Sequence, residues 1–209
     1  IRPDTILISI MYANNEIGTI HPIADIGREI LKWRKENNTV YPYFHSDACQ
    51  ASGVLNLDVE KLHVDLLTIN GSKMYGPKGV GVLYKRRAVN IEPMILGGGQ
   101  EMGLRSGTEN VPGIVGLAKA LEIAEENKEI ENKRLIELKK YFWIELEKNI
   151  EKIKLNGISL DDEKNRLPNN LNVSFLDIEG EAMLLYLDEY GIVTSTGSAC
   201  TSGSLDASH

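Results

Sequence analysis

Thr-Ile-Asn-Gly-Ser-Lys-Met-Tyr-Gly-Pro-Lys-Gly-Val-Gly, residues 68–81, decides how the rest of the chain is read. The apolar run Val64–Ile69, broken by Asp65, predicts a buried strand. It exits into a small-residue turn that presents Lys73, and Gly76-Pro77-Lys78-Gly79 supplies a second turn at once. A lysine held at a strand exit suits Schiff-base chemistry, which needs an amine fixed in place and able to lose its proton. The same residues also fit a surface lysine beside a glycine-rich loop, so the choice falls to the rest of the chain.

Working outward, Thr5–Met11 is a continuous apolar strand followed by the polar loop Asn14-Asn15-Glu16-Ile17-Gly18. After Pro22, Ile23, Ile26, Ile30 and Trp33 recur at spacings of three and four, a helical pattern. Residues 40–46 form a strand that leads into Asp47, and Gly81–Lys85 form another. Strands that are apolar rather than alternating, interleaved with helix, predict an α/β fold: a mainly parallel sheet with flanking helices.

Further on, Leu117, Ala120, Leu121 and Ala124 mark a helix over Val115–Asn127. A longer charged helix is expected over Ile130–Ile153, with Leu135, Leu138, Phe142, Leu146 and Ile150 on one face. A polar loop (Leu160–Asn170), a strand (Leu171–Phe175), a helix near Gly180–Tyr190 and a short strand around Ile192 and Val193 follow. A domain change near 126–130 divides the chain into residues 1–126, part of a large domain, and 127–209, part of a smaller α+β domain.

Composition narrows the function classes. The 209 residues are 42% hydrophobic and 25% charged, ordinary values for a soluble globular protein. A net charge of −7 argues against nucleic-acid and anionic-membrane partners, which need a positive field. No apolar run reaches the ~20 residues of a membrane span, and no signal-peptide pattern opens the chain. The two cysteines, Cys49 and Cys200, lack metal-ligand spacing and suit a reducing cytoplasm. The four histidines show no metal spacing either, and no metal is expected. With Ile1 entering almost directly into a strand and His209 closing a Ser/Gly stretch, the chain reads as the middle of a longer protein.

Three further segments carry candidate chemistry. In His45-Ser46-Asp47-Ala48-Cys49-Gln50, Asp47 ends a strand, the edge at which open α/β sheets bind ligands. A carboxylate there suits either the protonated pyridine nitrogen of pyridoxal phosphate or a helix N-cap. Cys49 beside it reads as a packed small residue, and His45 as a structural hydrogen-bonder or a neighbour of a site. Gly97-Gly98-Gly99-Gln100-Glu101 and Leu104-Arg105-Ser106-Gly107-Thr108 offer amides and hydroxyls to phosphate oxygens, or simply form a connection. Lys73 lacks P-loop spacing, which disfavours a nucleoside triphosphate. Cys200, in Ser198-Ala199-Cys200-Thr201-Ser202-Gly203-Ser204, sits among small polar residues, as an exposed reactive thiol or an incidental one would.

Taken in order, these segments resemble the NifS/IscS-type cysteine desulfurases, fold-type I pyridoxal phosphate enzymes of the class V aminotransferase group. The resemblance spans essentially the whole chain. It implies that Lys73 carries pyridoxal 5'-phosphate as a Schiff base and that Asp47 pairs with the pyridine nitrogen. Gln50 then contacts the phenolic oxygen, and Asn14 lies near that oxygen and the substrate carboxylate. Thr108 reaches the phosphate held by the other subunit of a homodimer. Cys200 is the nucleophile that takes sulfur from L-cysteine, leaving alanine and a persulfide for an iron–sulfur scaffold or sulfur-carrier acceptor.

The family usually has Ser-x-His-Lys near the phosphate; here Asn70 and Ser72 stand at those positions, and both retain hydrogen-bond donors. The family's upstream phosphate loop and ring-stacking histidine, and its downstream carboxylate-binding arginine, are not among these residues. The 209 residues alone are therefore expected to be a poor enzyme. Selenocysteine lyase, or another class V lyase, is the alternative within the fold. A degenerate or truncated scaffold subunit is the non-enzymatic alternative.

Overall fold

A computed structural model describes residues 1–197. The described chain runs β1 (Leu7–Met11), α1 (Ile23–Glu36), β2 (Tyr43–Asp47), α2 (Val59–Leu62), β3 (Leu66–Asn70) and β4 (Gly81–Lys85). Then come α3 (Val111–Asn149), β5 (Ile153–Leu155), β6 (Val173–Phe175) and α4 (Gly180–Glu189). Two compact units result. One comprises Ile1–Ala13 and His21–Glu129; the other comprises Asn14–Ile20 and the described part of Ile130–His209.

The first unit is built on a sheet in the order β1-β2-β3-β4. The β1–β2 and β2–β3 pairs are parallel, with Met11 opposite Asp47 and Asp47 opposite Thr68. β4 returns antiparallel to β3, as a turn of residues 71–80 with no crossover helix requires. The core gathers Ile23 and Ile30 of α1, Phe44 of β2, Leu67 and Ile69 of β3, and Leu117 of α3. Each such buried aliphatic side chain stabilises the fold by roughly 1.5–3 kcal/mol.

Asp65, the carboxylate that interrupts the apolar run, is fully engaged. It accepts the Phe44 N–H at 2.7 Å and pairs with Arg34, whose Nε donates to the Pro42 carbonyl at 2.9 Å. This buried ion pair is hydrogen-bonded on both sides and ties α1 to β2 and β3. Gly27 lets α1 approach α2 closely, since a Cβ there would lie 2.6 Å from the Leu62 carbonyl oxygen.

The helical pattern was expected to break near residues 126–130, but α3 runs unbroken for 39 residues. Glu125 to Glu131 contain no proline or glycine, and Lys128–Glu125 and Arg134–Glu131 ion pairs lace its surface. Pro112 is tolerated because it occupies the first turn, where its missing N–H has no helical partner; Asn110 Oδ1 meanwhile accepts the Gly113 N–H at 3.1 Å.

In the second unit, α3 ends at Asn149 rather than at Ile153. The residues beyond it, Ile153–Leu155, form β5, antiparallel to β6. The β-branched Ile153 and the apolar Leu155 gain more from this pairing than from another helical turn. Ile192 and Val193, expected as a short strand, pair with no strand among the described residues and follow α4 as irregular chain.

Candidate active site

Parallel strands β2 and β3 end at one edge of the sheet, which sets the geometry of the first unit's candidate residues. Asp47 is the last residue of β2, exposed at that edge. Its Oδ1 accepts the backbone N–H of Cys49 at 2.9 Å, which orients the carboxylate. Gln50 follows in the same turn and is half-buried.

One residue pair behind the edge, His45 lies on the same face of β2 as Asp47. Its ring nitrogens bond Ser9 Oγ at 2.7 Å and Thr68 Oγ1 at 2.9 Å, linking β1, β2 and β3. Burial lowers the His45 pKa, with Asp47 opposing. The ring is therefore a neutral crosslink beneath the carboxylate rather than a second cation.

β3 ends at Asn70, whose side chain caps a one-turn 3-10 helix, Gly71–Met74. Asn70 Oδ1 accepts both the N–H and the hydroxyl of Ser72, each at 3.0 Å. Lys73 sits exposed in this turn, with Met74 buried beneath it. Asn70 and Ser72 thus act first on each other and on the turn that carries Lys73.

Asp47 ends β2 and Lys73 lies in the turn that follows β3, its parallel neighbour, and the Cys49 thiol feels both charges. Its half-buried thiol is pushed up to about 12, by burial first and then by Asp47, while Lys73 pulls the other way. A carboxylate and an amine therefore act on one thiol, from the ends of adjacent strands. A carboxylate for a pyridinium nitrogen, a primary amine for an aldehyde and a flanking amide form a donor set that fits pyridoxal 5'-phosphate.

Thr108 lies exposed after the glycine-rich segment, in which Ser106 Oγ accepts the Gly98 N–H at 3.0 Å and Gln100 Oε1 accepts the Gly107 N–H at 3.2 Å. Among the described residues of the first unit, nothing joins Thr108 to Lys73. Asn14 belongs to the second unit, where its Oδ1 accepts the N–H groups of Glu16 and Ile17, both at 2.9 Å. Cys200 lies outside the described residues.

Sequence reasoning read His45 as a structural hydrogen-bonder or a neighbour of a site but named neither Ser9 nor Thr68 as the partners that its ring bridges. It also passed over the role of Asn170 and Asn172 around the Asn14 turn. The only signal for the bridge was polar residues facing one another across three otherwise apolar strands. Asn170 and Asn172 left none, since asparagine in a polar loop is unremarkable. Among the described residues no group of three or more His, Cys, Asp or Glu could hold a metal ion, and no helix is long and apolar enough to cross a membrane.

The class-V aminotransferase family profile matches residues 1–208. The chain is 54% identical over 211 residues to "Cysteine desulfurase IscS" of Dictyoglomus turgidum, covering all of this chain and 50% of that protein. It is 54% identical over 209 residues to the protein of the same name from Methanosarcina thermophila, again covering all of this chain and 49% of the other. A solved "NIFS-like protein" superposes with a TM-score of 0.82 at 42% identity, covering 94% of this chain and 51% of that one. The chain thus spans about half the length of the curated relatives it matches. The likeness and the mainly parallel sheet bear out the expected fold, part of a fold-type I transferase.

Proposed function

We propose, because this chain belongs to the class-V aminotransferase family, that it carries part of the active site of a pyridoxal 5'-phosphate-dependent cysteine desulfurase. The observation that carries this reading is the placement of Asp47 at the end of β2 and of Lys73 in the capped turn that follows β3, its parallel neighbour. The names of the relatives support the choice of L-cysteine as substrate.

Bound pyridoxal phosphate supplies an electron sink for charge that develops at the substrate's α-carbon. Lys73 holds the cofactor and then moves protons at the substrate carbons. Asp47 keeps the proton on the pyridine nitrogen, while Gln50 and Asn14 bond the phenolic oxygen. Asn70 would offer its Nδ2 to the phosphate, Ser72 its hydroxyl once released from Asn70 Oδ1, and Thr108 would reach the phosphate held by the other subunit.

Cys49, held protonated, is unsuited to sulfur chemistry at neutral pH, because the thiolate is the nucleophile. By the resemblance to the cysteine desulfurases, Cys200 is the cysteine that takes the sulfur. Its thiolate attacks the substrate sulfur and an S–S bond forms. The electron pair of the broken C–S bond stays with carbon, which is protonated to give alanine.

The division at 126–127 separates a cofactor-binding domain from a smaller domain bearing the Cys200 loop. Fully exposed Tyr75, Met94 and Met102 support a homodimer, in which such side chains are covered. The persulfide passes to an iron–sulfur scaffold or sulfur carrier, and the protein works in the cytoplasm.

The test is alanine release from L-cysteine by the full-length protein. Turnover should vanish in Lys73→Ala and Cys200→Ala, and the visible absorbance of bound cofactor should vanish only in the former. Undiminished turnover in Cys200→Ala would overturn the reading, and preference for selenocysteine in that variant would favour a lyase.

A further inference from the structure

The turn that carries Asn14 is gripped from outside by residues far downstream. Asn170 Nδ2 donates to the Glu16 carbonyl at 2.7 Å and to the Asn15 carbonyl at 3.3 Å. Asn172 Nδ2 donates to the same Glu16 carbonyl at 3.2 Å. The backbone adds the Leu167 N–H to the Gly18 carbonyl and the Ile20 N–H to the Asn165 carbonyl, both at 2.8 Å. Asn172 is itself keyed, since its Oδ1 accepts Asn156 Nδ2 at 2.8 Å.

These bonds fall on the same two peptide planes that Asn14 uses. The Asn15–Glu16 peptide has its N–H on Asn14 Oδ1 and its carbonyl on Asn170. The Glu16–Ile17 peptide has its N–H on Asn14 Oδ1 and its carbonyl on Asn170 and Asn172. In a trans peptide the two groups point oppositely within one plane, so holding the carbonyl aims the N–H. With Oδ1 committed to both N–H groups, the plane of the Asn14 amide is set.

We propose that Asn170 and Asn172 are positioning residues for Asn14, gripping the carbonyls of Asn15 and Glu16 so that the Asn14 amide is held in one plane. This rests on the reading of Asn14 as a cofactor contact. Neither asparagine touches the reacting atoms; both act through the turn.

The test is a double-mutant cycle in the full-length, cofactor-loaded protein, with Asn14→Ala, Asn170→Ala and their combination. Three quantities are read: the dissociation constant of pyridoxal phosphate, the pH midpoint of its visible absorption, and KM against kcat for cysteine. Asn170→Ala should move the midpoint in the same direction as Asn14→Ala. It should also weaken cofactor binding about 3- to 10-fold, the effect of one lost hydrogen bond. Asn170→Asp, which keeps the size but loses the donor, should behave alike.

In the Asn14→Ala background, Asn170→Ala should add nothing to these readouts. If the two effects multiply, or if Asn170→Ala lowers only the melting temperature, the positioning role is wrong while the Asn14 contact stands. If Asn14→Ala is itself silent, the underlying reading falls and takes this proposal with it. Should Asn170→Ala not fold, the same cycle with Asn172→Ala, which removes one contact rather than two, decides between these outcomes.

Discussion

The Asp47 carboxylate accepts the backbone N–H of Cys49 at 2.9 Å, so the acid that ends β2 is aimed by the residue whose thiol pKa it helps burial to raise. The same short turn therefore orients a carboxylate and disarms a cysteine. Burial contributes most to the raised thiol pKa, the Asp47 charge adds to it, and Lys73 partly offsets both.

Alkylation rates test this directly. In the cofactor-free Cys200→Ala protein, Cys49 should react slowly with iodoacetamide at neutral pH and accelerate only towards its pKa of about 12. Asp47→Asn removes the negative charge and should speed the reaction several-fold at fixed pH. A Cys49 that alkylates at the rate of an ordinary exposed thiol would contradict the assignment.

Asn70 caps the turn that presents Lys73. Asn70→Ala removes the acceptor for two Ser72 donors and should cost about 1 kcal/mol of stability, the usual worth of a cap. Asn70→Asp keeps the acceptor and should recover most of that loss in denaturant titrations. An Asn70→Ala protein as stable as the parent would show that the turn does not depend on its cap.

Lys139 is buried, with its Nζ donating to the Leu167 carbonyl at 2.5 Å. Burial, then Arg166, lowers its pKa to about 8, with Lys140 adding to the lowering and Glu163 opposing it. Below about 8 the lysine is charged in both folded and unfolded chains. Above that value the unfolded chain binds more protons, so this residue's contribution to stability rises with pH until its ordinary value of 10.5 is passed. Denaturant unfolding at about pH 7.5, 9 and 10 should show the rise, and Lys139→Met should flatten it.

Gly18 has φ +71°, and a Cβ there would fall 2.6 Å from Asn170 Oδ1. Gly18→Ala combines left-handed strain with a clash against the residue that grips the turn, and should cost about 1–3 kcal/mol. If the loss in thermal unfolding is smaller than a few tenths of that, the turn and Asn170 are not in close contact.

The lysine turn, the β2 carboxylate and the β4 strand were legible because each depends on residues adjacent in the chain. Apolar runs end at small-residue turns, and the ordered motifs specify a family even when each alone is weak. Helix α1 was legible for the same reason, since Ile23 and Ile30 lie on one face and both are buried. The continuity of α3 was not: a change in surface charge near residue 127 resembles a break, but only proline, glycine or a competing contact ends a helix, and none stands there.

The sequence by itself determined the class of fold and the residue types available for its chemistry, because periodicity and turn composition act over a few residues. Only the tertiary structure decided which of them meet. It put Asp47 and the turn that carries Lys73 at the ends of neighbouring strands, through the parallel pairing of β2 with β3. It also placed the Asn14–Ile20 turn against Asn170 and Asn172, partners 154 and 156 residues from Glu16 in the chain. Hydrogen bonds across such separations leave no periodic trace in the chain, because their partners become neighbours only once the chain between them has folded.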